Sequence, residues 1–519
     1  MESCNLLMIS IMESKYINLG ISQLTGYLRN RGFTVDMLFF HDGESNEYIM
    51  SQIGCRHTHY AFSVSQTNFS RIVKFVKNIK ARDINAIVIF GGPFSSMYYE
   101  DISKDVPEVD YFVLGDGEIP TEYLLSGGQI EGYPYIYSPK HSSSSYQQYH
   151  NEDISWDIAD DYFLSDGKKR HIHSIISKNN VCSGSCTFCC IEKSSRIVYK
   201  PVDIILTEIL KYNNSYGVSH FYFIDNDLFD PGNETAKERI AELCDKLIKL
   251  GRDLHFYCSA KATVFRDTQS DHTLLEKMYL AGFDSVFFGI EAANDDDLKL
   301  YNKKNRVTDN YLSLQLLREH KIHPDIGFIC FNPYSTLSRI KENFKFLIDA
   351  QIEDITHYTQ SFLEIYKGSP FYTLAVKQQL LNKQYNYMHL DEYRFVSEDA
   401  EKITQIVLFL KEKFKNNKDF LTEDGWARFA VFFNGLRRHN KDLEVYVDEF
   451  DNLKQKYIDL LRSYFSKLYL DGDIQYCRYS YNDFLKEYRR NKKEMHQLRT
   501  RIILSNIRSS KAAPIISYP

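Results

Sequence analysis

The sequence predicts an α/β protein with a doubly wound parallel-sheet domain first, a partial (β/α)6 barrel next and a helical domain last. Within residues 1–136, five short apolar runs alternate with amphipathic stretches. The same alternation recurs six times within residues 166–380. Strands that alternate with helices favour parallel sheets. From 381 to 519, apolar residues recur at helical spacing among many charges, which predicts helices.

The N-terminal strands are predicted from apolar runs that end at turns. The predicted strands are 5–10, 34–40, 60–65, 86–90 and 111–114, and the clearest helices are 19–31 and 69–81. Ligands of doubly wound sheets bind at the carboxyl ends of the strands. Two glycine-containing turns, 91–93 and 115–118, fall at such ends. A Ser-rich polar stretch follows, and we interpret residues 137–165 as a linker.

The central part repeats a strand and a helix six times. The predicted strands are 172–177, 220–224, 254–259, 285–290, 325–331 and 355–362, and the predicted helices are 201–212, 234–250, 273–281, 309–320 and 337–350. Active sites of such barrels lie at the carboxyl ends of the strands. The C-terminal helices are predicted at 401–415, 422–437, 442–470 and 482–505, and we expect them to cap the barrel.

Three cysteines follow the first predicted barrel strand. Cys182, Cys186 and Cys189 have the spacing C-x3-C-x2-C, with Gly and Ser between the first two. Three thiolates can hold a [4Fe-4S] cluster and leave one iron open for a ligand. The alternatives are unrelated thiols or a zinc site completed by His171 or His173, since zinc prefers four ligands. Cys190 falls outside the spacing.

This cysteine pattern, with Phe188 before the third cysteine, resembles the signature of the radical S-adenosylmethionine (SAM) superfamily. The segments 282–294, 327–336 and 366–372 resemble later motifs of that family. The resemblance implies reductive cleavage of SAM to a 5′-deoxyadenosyl radical that takes hydrogen from an unactivated carbon. It also implies an electron donor such as flavodoxin or ferredoxin. A non-catalytic protein that carries a cluster is the less favoured alternative.

The same resemblance assigns polar residues at the strand ends to SAM binding. These candidates are Asp225, Asn226, Asp227, Lys261, Glu291, Asn332 and Pro333. Asp225, Asn226 and Asp227 could instead cap a helix or form a loop. Lys261 could instead be a solvated surface side chain. A salt bridge between Lys261 and Glu291 is the structural alternative for the glutamate. Phe331 and Tyr334 replace two glycines of the family pattern, and we expect them to stack on adenine or narrow the substrate pocket.

The N-terminal half resembles the cobalamin-binding domain that precedes the barrel in one branch of the superfamily. The matching segments are 18–32, 90–93 and 111–118. A D-x-H-x-x-G segment, which supplies an axial histidine in many cobalamin domains, does not occur in residues 1–130. Bound cobalamin would imply methylation of a natural-product or peptide substrate. In a degenerate scaffold without cobalamin, the radical would drive cyclisation, dehydration, epimerisation or rearrangement.

Composition excludes several other classes. The sequence has no apolar run of roughly 18 residues and no secretory signal, so we expect no membrane span. Ten cysteines without regular pairing favour a reducing, cytoplasmic compartment. Residues 486–511 carry nine Lys or Arg, but aromatic residues do not alternate with them. This pattern argues against nucleic-acid binding there. Only Cys477 lies beyond residue 380, so auxiliary clusters are not expected. No residue identifies the substrate.

Overall fold

The chain divides into two compact units. The structure, a computed structural model, describes residues 5–12, 18–41, 43–54, 56–141, 145–150, 158–161, 172–193, 196–353, 355–414, 417–420 and 425–509. One unit comprises residues 1–179 and 208–220, and the other comprises residues 180–207 and 221–519. Residues 142–144, 151–157 and 162–165 of the Ser-rich stretch, together with His171, lie outside the described residues.

The first unit contains a six-stranded sheet with the order β2-β1-β3-β4-β5-β6. Its strands are β1 (Asn5–Met12), β2 (Thr34–His41), β3 (His59–Ser63), β4 (Ile87–Gly91), β5 (Tyr111–Val113) and β6 (Ile136–Tyr137). Its helices are α1 (Leu19–Asn30), α2 (Asn46–Ile53), α3 (Phe69–Arg82), α4 (Pro93–Asp105) and α5 (Glu118–Leu125). Every strand pair is parallel except β5 with β6.

Strand β1 is the centre of this sheet. Seven of its eight residues are buried, as expected of an apolar strand covered on both faces. It pairs with β2 on one side and β3 on the other. The chain order therefore reverses between β1 and β3, and ligands of open parallel sheets bind at such a switch point.

The sheet continues past its five predicted strands. Strand β6 adds an antiparallel edge, and Tyr149 bridges Gly115. Gly115 has a φ of +83°, and a Cβ there would collide with the Tyr149 carbonyl group. Only glycine fits this close approach, so the turn predicted as a ligand site also serves packing.

The central sheet has five strands in the order β11-β10-β9-β8-β7. They are β7 (Ile172–Ile175), β8 (His220–Phe223), β9 (His255–Lys261), β10 (Phe283–Glu291) and β11 (His323–Phe328). The accompanying helices are α6 (Val202–Tyr216), α7 (Glu234–Leu250), α8 (Gln269–Ala281), α9 (Asp295–Leu300), α10 (Val307–Glu319), α11 (Leu337–Asp349), α12 (Ile355–Tyr358) and α13 (Pro370–Lys377). Strand β10 runs parallel to both β9 and β11.

The prediction of a sixth strand at 355–362 is wrong. This segment begins with helix α12, in which Ile355 and Tyr358 are buried. The Thr359 amide donates to the Ile355 carbonyl at 2.9 Å, so the backbone is satisfied locally. The only strand-like contact of the segment in the described chain is a single bridge between Phe331 and Phe362. Its apolar residues fit helical spacing as well as alternation, which explains the error.

Helices make up most of the C-terminal region, as predicted. They are α14 (Ala400–Lys413), α15 (Trp426–His439), α16 (Val447–Tyr469) and α17 (Ile474–Ser509), with 3₁₀ turns at Lys418–Phe420 and Lys441–Tyr446. Trp426 is buried, and its indole nitrogen donates to Asn491 at 3.1 Å. None of the described helices is long and apolar enough to cross a membrane.

A buried charge cluster joins α15 to the sheet. Asp284 on β10 is fully buried, accepts a hydrogen bond from Arg438, and lies 2.7 Å from Nδ1 of His255. Burial opposes ionisation of Asp284, but Arg438 and His255 outweigh it and lower the pKa of the carboxyl group. Separating Arg438 from Asp284 would leave a buried charge without its partner, which is costly in free energy. This ion pair therefore attaches the C-terminal region to the sheet.

We predict that Arg438→Met lowers the free energy of unfolding by about 3–5 kcal/mol, because it leaves the Asp284 carboxylate buried beside a single partner. Urea denaturation measures this loss. The neighbouring Arg437 pairs with Glu444, which is 45% exposed, so Arg437→Met is the matched control and should cost less than about 1 kcal/mol. Equal losses in the two variants would contradict the assignment.

Candidate active site

The three predicted cluster ligands lie in one loop after β7. Cys182, Cys186 and Cys189 have free, partly exposed thiols, whereas Cys190 is exposed. The Gly184 amide donates to Cys182 Sγ at 3.3 Å, and a Cβ at Gly184 would lie 3.2 Å from that sulfur. The loop therefore places a backbone donor against its first thiol and leaves little room for a side chain at residue 184.

The segment 300–302, which ends helix α9, holds the cysteine loop. The Thr187 amide donates to the Tyr301 carbonyl at 3.0 Å, and its hydroxyl donates to the Leu300 carbonyl at 2.8 Å. The Asn302 amide donates to the carbonyl and the hydroxyl of Ser185, each at 2.9 Å. These bonds fix the residues on either side of Cys186. We call this segment, 300–302, the clamp.

The donor set fits an iron–sulfur cluster. Thiolates are the ligands that such clusters use, and three of them lie in one irregular loop. Within the described part of the chain, no three His, Cys, Asp or Glu side chains are close enough to hold one metal ion. A cubane is larger than an ion, so its thiolates surround it at greater separation. His173, a zinc alternative, lies 2.9 Å from the Glu208 carboxylate instead.

Strand β8 ends in the predicted acidic segment. Asp225 and Asp227 are buried, and the Asn226 amide donates to Asn180 at 3.1 Å. Asp227 Oδ2 forms an ion pair with Lys261 Nζ at 3.3 Å and accepts no hydrogen bond from any other described group. Burial raises the pKa of Asp227, and Lys261 only partly offsets this. That oxygen is an acceptor suited to a ligand ammonium group.

Lys261 is paired more tightly with Asp230, a residue that the sequence did not single out. Its ammonium group lies 2.9 Å from Asp230 Oδ1, and Asp230 also accepts from the amide and hydroxyl of Ser183 in the cysteine loop. Burial would raise the pKa of Asp230, but these hydrogen bonds lower it. Asp230 precedes a Pro-Gly pair, which predicts a turn. The sequence therefore gives no sign of its contacts with Lys261 and Ser183.

Glu291 ends strand β10, and its partner is Lys303. The Glu291 carboxylate lies 3.7 Å from Lys303 Nζ, so the suggested salt bridge with Lys261 is wrong. Burial raises the pKa of Glu291, and Lys303 partly offsets this. The two charges also act on the cluster loop. Burial raises the pKa of the Cys186 thiol, Lys303 opposes this and Glu291 adds to it.

Asn332 is committed to a buried hydrogen-bond network. Its amide nitrogen donates to Asp297 at 3.0 Å and to the Tyr301 hydroxyl at 2.9 Å, while its side-chain oxygen accepts from the Tyr334 amide. The Pro333 carbonyl accepts from Val396. SAM contacts at these two residues stay a prediction, but the network already positions Tyr301 of the clamp.

The two residues that replace family glycines have protein partners. Phe331 is fully buried and stacks on Phe362 with ring centroids 5.1 Å apart. The Tyr334 hydroxyl donates to Gln378 at 2.6 Å. The bulk of Phe331 therefore fills the core rather than a substrate pocket.

The carboxyl edge of the first sheet offers a separate ligand site. Asn18 caps α1 and donates to the Ser63 hydroxyl at 2.9 Å, which joins the ends of the two strands at the switch point. Gly92 follows β4 with a φ of +97°, and a Cβ at Gly91 would meet nothing within 4 Å. The Ser10 hydroxyl, 1% exposed, has no hydrogen-bond partner in the described residues. An open glycine edge and a buried donor fit a large cofactor.

Two family models match the chain in the order that the fold indicates. The B12-binding domain model matches residues 7–125, and the radical SAM superfamily model matches residues 176–347. The chain is a radical SAM enzyme with an N-terminal B12-binding domain. Its domains imply a [4Fe-4S] cluster, SAM and cobalamin as cofactors.

Curated relatives match parts of this radical SAM enzyme. The 4′-phospho-dehydrooxetanocin synthase of Priestia megaterium is 28% identical over 239 residues, covering 39% of this chain and 32% of the relative. The anaerobic magnesium-protoporphyrin IX monomethyl ester cyclase of Cereibacter sphaeroides is 24% identical over 336 residues, covering 60% and 51%. The chain thus spans about a third and a half of these two relatives.

Solved structures share the fold over a longer stretch. The cobalamin-dependent SAM radical enzyme OxsB, solved with aqua-cobalamin and SAM, has a TM-score of 0.68 at 17% identity, covering 97% of this chain and 80% of OxsB. The radical SAM methyltransferase TsrM from Kitasatospora setae has a TM-score of 0.55 at 14% identity, covering 72% and 76%. These likenesses confirm the predicted fold class.

We predict that Cys189→Ser abolishes cluster assembly and that Cys190→Ser leaves it intact, because only Cys189 has the ligand spacing and Cys190 is exposed. Iron content and the visible absorption of anaerobically reconstituted protein measure both outcomes. The two variants differ by one position in the same loop, so each controls for the other. Equal loss of iron would refute the ligand assignment.

We predict opposite redox effects for the two charges beside Cys186. Lys303→Gln removes a cation that favours the more negative, reduced cluster, so the midpoint potential should fall by on the order of 60 mV, equivalent to a tenfold change in a one-electron equilibrium. Glu291→Gln should raise it. Redox titration followed by electron paramagnetic resonance measures both, with the exposed Lys299→Gln as control. Shifts of the same sign would contradict this arrangement.

Proposed function

We propose that this enzyme abstracts hydrogen from an unactivated carbon and methylates that carbon with the help of cobalamin, on a small natural product or a peptide. The observation that carries the proposal is the cysteine loop held near the acceptors Asp227 and Glu291, in a chain that also has a B12-binding domain. When bound, the cluster and SAM supply a 5′-deoxyadenosyl radical, and cobalamin supplies the methyl group.

The side chains at the strand ends have distinct tasks in this proposal. Asp227 accepts hydrogen bonds from the SAM ammonium group through its buried Oδ2, whose protein partner is Lys261. The ammonium group of Lys261 faces the SAM carboxylate. Asp230 holds this lysine ammonium group in place. Because Asp230 also bonds Ser183, the same carboxylate ties the SAM site to the cysteine loop. Glu291 offers an acceptor to a ligand hydroxyl or ammonium group.

A cyclisation or rearrangement is the second candidate. The observation that favours it is that two of the relatives matched above are named as a synthase and a cyclase rather than as methyltransferases. Both candidates share the initial hydrogen abstraction and differ in the later fate of the substrate radical. The proposed SAM contacts are therefore common to both.

The shared step is tested by anaerobic reconstitution followed by reduction with dithionite. We expect a brown protein with about four irons that releases 5′-deoxyadenosine from SAM. Asp227→Asn should keep the iron and lower 5′-deoxyadenosine formation at least about tenfold, because the amide gives up the charged acceptor. A colourless zinc protein would refute the radical SAM function, and an unchanged Asp227→Asn rate would refute the role of Asp227.

The two outcomes are separated by the fate of the SAM methyl group. With hydroxocobalamin and a strong reductant, a methyltransferase should retain the cobalamin absorption band and release S-adenosylhomocysteine as well as 5′-deoxyadenosine. Retention of cobalamin with 5′-deoxyadenosine as the sole SAM product would instead favour cyclisation or rearrangement. Mass spectrometry of the products with methyl-deuterated SAM decides between them.

A further inference from the structure

A basic groove is formed by helix α9 and the loop that follows it. Its lining combines four cations and two amides with one carboxylate, that of Asp295: Asp295, Leu298, Lys299, Asn302, Lys303, Lys304, Asn305 and Arg306. Lys299, Lys304 and Arg306 are exposed, whereas Lys303 is 10% exposed and points to Glu291. We call these lining residues the basic groove.

The basic groove is continuous with the cysteine loop. Asn302 belongs to both the groove and the clamp, and it donates to Ser185 between Cys182 and Cys186. On the other side of Cys186, Thr187 donates to the Tyr301 and Leu300 carbonyls, which immediately precede Asn302 in the chain. A molecule seated in the groove would therefore lie next to the loop that holds the cluster.

Of the four cations in the basic groove, Lys303 is paired with Glu291, and the other three have no ion-pair partner among the described residues. The neighbouring Asp296 pairs with Arg339 at 2.9 Å, and Asp309 pairs with Arg266 at 3.1 Å. Lys304 donates to the Asn302 amide oxygen, which carries no charge. No carboxylate in the described ranges forms an ion pair with Lys299 or Arg306. Exposed, unpaired cations steer acidic partners and raise their association rate.

We propose that the basic groove is the docking surface of an acidic one-electron donor of the flavodoxin or ferredoxin class. The inference rests on the proposed function, because only a redox cluster in the adjacent loop needs such a partner. The reduced donor loses one electron and the cluster gains it, and no bond forms or breaks. The groove adjoins the loop through the contacts of Asn302 with Ser185.

The test compares a protein donor with a small reductant. The variant Lys299→Glu with Arg306→Glu reverses two groove charges without touching the clamp. Cluster reduction is followed by stopped-flow absorbance, first with reduced flavodoxin and then with dithionite. The matched control is Lys486→Glu with Lys493→Glu on α17, where both lysines are exposed and the charge change is equal.

We expect the groove variant to lower the second-order rate constant with flavodoxin at least about tenfold at low salt and to weaken its dependence on ionic strength. Dithionite reduction, 5′-deoxyadenosine formation and the α17 control should stay unchanged. An unchanged flavodoxin rate would overturn the proposal, as would an equal loss in the α17 control. Loss of wild-type activity with dithionite would instead reject the proposed function itself.

The same variants address a different occupant. Calorimetric binding of inorganic phosphate to the wild type and not to the groove variant, with an unchanged flavodoxin rate, would assign the groove to a phosphate-bearing ligand. That result would overturn the docking proposal while leaving the radical SAM chemistry intact.

Discussion

The attachment of the cysteine loop to the clamp is the interaction on which the site depends. Three thiols in an irregular loop have many conformations, and ordering them costs backbone entropy. The carbonyls of Leu300 and Tyr301 and the amide of Asn302 fix Ser185 and Thr187, so the loop is shaped by a segment more than 100 residues later. Tyr301 is in turn fixed by Asn332, and Asn332 by Asp297. A buried network therefore determines the geometry of the loop.

The charged residues of the site form two groups, each centred on one lysine. Lys261 balances Asp227 and Asp230 beside Cys182, and Lys303 balances Glu291 beside Cys186. A cation beside each carboxylate lowers the free-energy cost of keeping that carboxylate ionised away from water. Asp227 and Glu291 each keep a carboxylate oxygen available to a ligand, so a bound ligand can replace the lysine as the partner of that oxygen.

Sequence patterns predicted ten of the eleven described strands but not the pairings between the site's charged residues. Apolar runs identified β1 and β10 because buried parallel strands are continuously hydrophobic. The segment 355–362 was ambiguous because its apolar residues fit both periods, and a single tertiary bridge did not make it a strand. Asp230 and Lys303 were missed because their roles come from contacts with Ser183 and Glu291 that no local pattern encodes.

We propose that Cys182, Cys186 and Cys189 hold a four-iron cluster with one open iron that binds SAM. Mössbauer spectroscopy of reconstituted protein with a selectively ⁵⁷Fe-labelled open site observes that iron itself. We expect the isomer shift of the labelled iron to rise when SAM is added, as its coordination number increases, with the Cys190→Ser variant behaving like the wild type. A labelled site that does not respond to SAM, or iron that cannot be exchanged selectively, would contradict this account.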